Sequence, residues 1–113
     1  MKSTLIPTAP VPRTVTDLAA QLGKRIRVAR IRRKLRQQDL ADRAGLSRTA
    51  IEAVESGKLS TGLGTYLRAL WAMGLADGLD LVADPGLDRD GLALELNRQT
   101  MRVQVQRKVD NDF

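Results

Sequence analysis

One stretch constrains this chain more than any other: Gln37-Gln-Asp-Leu-Ala-Asp-Arg-Ala-Gly-Leu-Ser-Arg-Thr-Ala-Ile-Glu-Ala-Val-Glu-Ser56. Its apolar residues fall at helical spacing in two short runs separated by Gly45. Leu40, Ala41 and Ala44 make the inward face of a helix over about 37–44. Gly45 suits the left-handed backbone that ends such a helix. Ser47 is a good N-cap for a second helix to about Ser56, with Ile51 and Val54 as its core-facing pair. Ala41 is small enough for the two helices to cross closely, and Gly57 closes the second. Each of these is a weak constraint alone; together they suit helix, tight turn, helix, with the second helix projecting from the body.

The flanks supply the body. Thr16 is a candidate N-cap, followed by Asp17 in the first turn, and Leu18, Leu22, Ile26 and Ala29 form one apolar stripe. This first helix is expected to reach Arg33 or Lys34, weakened slightly by Gly23. Another helix is expected from about Gly62 to Met73, with Leu63, Leu67 and Leu70 inside. Leu79 and Leu81 alternate with Asp80 and lead to Val82, the pattern of a short strand before Asp84-Pro85. Residues 1–15, with Pro7, Pro10 and Pro12, read as a flexible arm, and 16–84 as the folded domain. Residues 85–113 read as a tail that is partly disordered or ordered only on a partner, a candidate partner-binding segment. Within it, Leu92 to Arg98 suit one or two helical turns. Met101, Val103 and Val105 alternate with polar residues as in an extended run. The fold class expected is all-α, a compact bundle of about five helices followed by the dimer-forming strand.

Composition narrows the function. The chain has no Cys and no His, which removes disulfides, thiolate metal sites, cysteine nucleophiles and histidine bases. No motif preorganises a carboxylate pair or a phosphate loop, so neither enzyme activity nor a metal or cofactor is expected. No apolar run approaches the roughly 20 residues of a membrane span, and the N-terminus lacks the apolar core of a secretory signal. A cytoplasmic, nucleoid-associated bacterial protein is expected. The net charge of +6 is unevenly spread. Residues 1–76 carry 14 Lys or Arg against 5 Asp or Glu, and residues 77–113 carry 5 against 8. A basic body calls for a polyanionic partner.

The segment from about Leu22 to Leu75 resembles the Cro/repressor-type, or Xre, family of helix-turn-helix DNA-binding domains. Arg30, Gln37, Leu40-Ala41, Ala44-Gly45-Leu46-Ser47, Ile51 and Glu55-Ser-Gly57 carry the resemblance. It implies a lambda-repressor-like bundle whose third helix reads DNA. It also implies a structural ion pair between Arg30 and Glu55, and a phosphate contact at Gln37. Arg36 departs from the family, where a Thr or Ser commonly caps the second helix. The cap must then come from elsewhere, leaving Arg36 available to a phosphate.

With Ile51 and Val54 facing inward, Arg48, Thr49, Glu52 and Ala53 are expected on the opposite side of the third helix. Arg48 carries a bidentate fork suited to guanine O6 and N7. Thr49 can bond a base or a phosphate, or touch a thymine methyl, Ala53 can meet a thymine methyl, and Glu52 stands one turn from Arg48, placed to orient it. Arg27, Arg36, Gln37, Ser47, Ser56 and Lys58 are candidates for phosphate. Eight basic residues and no acidic one lie between Leu18 and Gln38, of which two to four are expected on the DNA backbone.

One module contacts too few base pairs for tight specific binding, so a homodimer on a palindromic, inverted-repeat operator of double-stranded DNA is expected. Trp71, Leu75, Leu79, Leu81 and Val82 are the candidate dimer interface. A strand straight after the fourth helix resembles the HipB-like antitoxin branch, which implies transcriptional repression of a toxin-antitoxin operon and a HipA-like kinase toxin as partner. A stand-alone Xre-type regulator and a non-specific basic nucleic-acid-binding protein are the alternatives.

Overall fold

The computed structural model describes residues 9–111. It contains five α-helices: α1 (Arg13–Arg32), α2 (Gln37–Ala44), α3 (Arg48–Glu55), α4 (Leu63–Ala72) and α5 (Arg89–Asn111). A 3-10 helix covers Ala76–Leu81. Among the described residues there is no strand. The chain divides after Asp77 into two units, so α1 to α4 make one body and α5 belongs to the other.

In the first unit α3 is central, touching α1, α2 and α4, while α2 also packs on α4. Ile26, Leu40, Ile51 and Val54 are fully buried, with Ala41, Ala44, Tyr66, Ala69, Leu70 and Met73 around them. The small side chains let the helices approach. The closest approach is between α1 and the end of α3. A Cβ on Gly23 would lie 2.6 Å from the Glu55 carbonyl oxygen, and one on Gly57 would lie 2.5 Å from that of Ala19. Gly57 also needs its positive φ of 72°. Gly23 is therefore the position where α1 meets α3 backbone to backbone, and its cost to the helix is offset by that packing.

Several expectations are corrected. The first helix starts three residues before Thr16, with Pro12 as N-cap, and Arg13 pairs with Asp17 at 3.8 Å one turn on. Residues 1–8 of the expected arm lie outside the described residues, and Arg13 to Val15 are helical. The apolar stripe of α1 is inward only in part: Ile26 is buried and Ala29 half-buried, but Leu18 is 59% exposed. Leu63 is likewise exposed, because it opens α4 ahead of the turn that carries Tyr66. The strand expected at Leu79 to Val82 is a 3-10 helix through Leu81, with Val82 N–H donating to the Leu79 carbonyl. Alternation over four residues is too short to set a strand where local i to i+3 bonds satisfy the backbone.

The extended run expected at Met101 to Val105 is part of α5. Asp88 starts this helix by accepting the Gly91 N–H at 3.0 Å. A string of good helix formers, Leu, Ala, Glu, Arg, Gln and Met, then overrides the alternation.

Candidate nucleic-acid interface

Positioning begins with the turn. Gly45 takes φ 69° and ψ 36° at the end of α2, and Leu46 N–H donates back to the Ala41 carbonyl at 2.9 Å. Ser47 Oγ then accepts the Ala50 N–H at 3.1 Å, fixing the first turn of α3. Two residues therefore separate the C-terminal cap of one helix from the first residue of the next. Ile51 and Val54 bury one side of α3, which directs Arg48, Thr49 and Glu52 into solvent. Arg48 Nε lies 3.2 Å from Glu52 Oε1, an exposed pair at i, i+4 that holds the guanidinium along the helix. Ala53 is half-buried, so less of it faces outward than Thr49.

The start of α2 sits beside the start of α3. Arg36, Gln37, Gln38 and Arg48 line a shallow depression of about 270 Å³ between them. One base-reading candidate and two phosphate candidates are thus brought together where α2 presents free N–H groups. The missing hydroxyl cap of α2 is replaced from inside the helix. Asp39 Oδ2 accepts the Arg36 backbone N–H at 2.8 Å and the Arg36 Nε at 3.2 Å, and Oδ1 accepts Nη2 at 3.0 Å. These bonds raise the Arg36 guanidinium above the usual arginine range and hold the Asp39 carboxyl below the usual carboxylate range, the Arg36 side-chain hydrogen bond being the largest cause in each.

Beneath this surface lies a buried ionic node. Arg30 Nε donates to Glu55 Oε2 at 2.6 Å, and Nη2 donates to Oε1 at 3.0 Å. Arg30 is 8% exposed and Glu55 9%. Arg30 Nη1 also donates to the Leu35 carbonyl, and Gln37 Nε2 donates to Glu55 Oε1 at 3.2 Å. The guanidinium is held above its ordinary range, chiefly by the Glu55 hydrogen bonds, which outweigh the burial that opposes them. One fork thus ties α1, the α1–α2 turn, α2 and α3 together, and Gln37 connects that node to the depression above it.

The remaining candidates differ in availability. Arg27 and Lys58 are exposed. Ser56 donates its hydroxyl to the Ala53 carbonyl at 2.9 Å, so a phosphate contact there requires that bond to break. Ser47 uses an oxygen lone pair for its cap and keeps its O–H for a donor role. Of the eight basic residues between Leu18 and Gln38, only Arg30 is buried. Three contacts escaped the sequence reading. The Asp39–Arg36 exchange was foreshadowed by an acidic residue at the third helical position, where a capping-box Glu would stand. Tyr66 Oη donates to the Lys58 carbonyl at 2.9 Å, anchoring the segment after α3. The Gln37–Glu55 bond had no local signal.

Two short helices at a glycine turn, the second showing an Arg-Thr start to solvent above a basic surface, define a helix-turn-helix module that binds DNA. The profile of the helix-turn-helix domain family matches residues 21–82, more than half of the chain, and the protein belongs to that family. No curated protein and no solved structure matches it. Among the described residues no helix is long and apolar enough to cross a membrane.

Proposed function

We propose that this DNA-binding regulator is a sequence-specific transcriptional repressor that acts as a homodimer on an inverted-repeat operator, and that it is not an enzyme. The observation that carries the reading is the exposed Arg48–Thr49 start of α3 beside the N-terminus of α2. In this reading Arg48 pairs with a guanine edge, Thr49, Glu52 and Ala53 complete the base contacts, and Gln37, Arg36, Ser47 and Lys58 hold phosphates. Glu52 serves Arg48 as an orienting partner. The buried Arg30–Glu55 fork keeps α3 at a fixed angle to α1 and α2.

The antitoxin branch is a weaker match than a stand-alone Xre-type regulator. Besides the basic-then-acidic charge layout, its support was an intermolecular strand at Leu79 to Val82, and Ala76–Leu81 is a 3-10 helix. A non-specific coating role would leave the glycine turn and the outward Arg48–Thr49 pair without a purpose.

Selection from a random duplex library followed by titration tests the proposal. The expected result is an enriched inverted repeat with half-sites about 10 base pairs apart, or a multiple of that. Binding that enriches no sequence would overturn it in favour of non-specific coating.

A further inference from the structure

Helix α5 holds its apolar residues on two opposite stripes rather than one. At about 100° per residue, Leu92, Leu96 and Val103 share one side, and Leu94, Met101 and Val105 share the other. All are exposed, Leu92 at 48%, Leu96 at 53% and Val103 at 50%. In proteins most helical stability comes from packing an apolar face rather than from propensity, and these faces are open. The first stripe continues through Gln99, giving Leu92, Leu96, Gln99 and Val103 at alternating steps of four and three, the spacing of a helix-pairing seam.

Charge chooses the occupant of that seam. Residues 84–95 carry Asp84, Asp88, Asp90 and Glu95 against Arg89 alone. Residues 96–109 carry Arg98, Arg102, Arg107 and Lys108 and no acidic residue. Within α5 itself Asp90 and Glu95 stand near the start, just after Asp84 and Asp88, and the four basic residues follow, with Asp110 the one acidic residue after Glu95 in the helix. A parallel neighbour of the same sequence would set like charges side by side, whereas an antiparallel one sets each end against its opposite.

We propose that α5 pairs with α5 of a second copy of this chain in antiparallel fashion through the Leu92–Val103 seam. The register follows from the residues. With Leu92 against Val103 of the other copy, Leu96 meets Gln99, and the two-fold axis repeats both layers. Glu95 and Arg102 both flank the same edge of the seam, one heptad apart. In this register each Glu95 faces the other copy's Arg102, twice per dimer. The polar Gln99 layer limits stability while fixing register. A seam of four layers is short beside the roughly 20–30 residues a side of a standard interface, which leaves the dimer sensitive to the charges that flank it. The pairing supplies the homodimer that the repressor reading calls for and rests on that reading in this respect alone; DNA contact by α3 does not depend on it.

Sedimentation equilibrium of the full chain tests the proposal, with Glu95→Arg, Arg102→Glu and the double exchange compared. Each single variant turns two attractive pairs into two repulsive ones and should raise the dimer dissociation constant about tenfold. The double exchange should restore it. Gln99→Leu should tighten the dimer, and Met101→Gln on the opposite stripe should leave it unchanged. Because the chain has no cysteine, Leu92→Cys and Val103→Cys proteins can be mixed and oxidised. Antiparallel pairing makes the mixed crosslink dominate. A dimer indifferent to both charge reversals, or one in which Leu92→Cys crosslinks mainly to itself, would overturn the pairing. Titration of a half-site duplex separates the two readings, since α3 contacts survive the loss of the dimer.

Discussion

Gly23→Ala is the sharpest test of how the first unit is assembled, because propensity and packing predict opposite signs. In a helix interior Ala is favoured over Gly by about 1 kcal/mol. At Gly23 the added Cβ would meet the Glu55 carbonyl oxygen at 2.6 Å, that of Val54 at 2.7 Å and the Gly57 nitrogen at 2.8 Å. All three are backbone atoms, so no rotamer change relieves them. Relief requires α3 to retreat from α1 by several tenths of an ångström. That movement also pulls Glu55 from the Arg30 fork, whose shorter bond is 2.6 Å. Overpacking of this kind costs about 1–3 kcal/mol, and stretching a buried ion pair adds to it, so a net loss of about 1–3 kcal/mol is expected. The control is Gly64→Ala, in the first turn of α4, where a Cβ meets nothing within 4 Å. It should gain about 0.4–1 kcal/mol. Urea denaturation followed by far-ultraviolet circular dichroism measures both. A Gly23→Ala midpoint at or above that of the unsubstituted protein would refute the close-approach argument.

Other substitutions probe the node and the surface. Glu55→Ala strands Arg30 in the core and removes the acceptor of Gln37, and should lower stability by about 3 kcal/mol, read as a fall in melting temperature. Asp39 has a depressed carboxyl pKa in the fold, so it contributes stability above the unfolded value, and that contribution is lost as pH falls through the lower folded value. Asp39→Asn should therefore be destabilising at neutral pH and indistinguishable from the parent once both carboxyl forms are protonated in acid; a constant difference across an acid titration would contradict this. Arg48→Ala should cost about 1–3 kcal/mol on the selected operator and relax preference at one base position, whereas equal weakening on random DNA would remove its base-reading role. Specific binding that neutralises about six phosphates should show a log–log salt slope near −5, and a flat dependence would contradict the basic footprint.

The residues from Gln37 to Ser56 determine their own structure. Gly45, Ser47 and the paired inward positions are local devices, each acting within a few residues, so both short helices and the turn are legible from the chain alone. The all-helical class follows similarly from composition and spacing. Gly23 in α1 reads differently. Gly23 is a weak point of a helix by propensity, and only the crossing with α3 makes it a contact.

Arg30 and Glu55 show the same division. Their pairing came from a family likeness, while the fork's further bonds to Leu35 and from Gln37 depend on where three elements meet. Alternation misled at both places where it was the sole signal, Leu79 to Val82 and Met101 to Val105. A period of two is satisfied in a sheet only if another strand supplies hydrogen bonds. Among the described residues none does, so the backbone closes its bonds locally, as a 3-10 helix in one segment and an α-helix in the other. Sequence sets the local hydrogen-bonding options, and the choice between them falls to whichever partner the tertiary structure brings within reach.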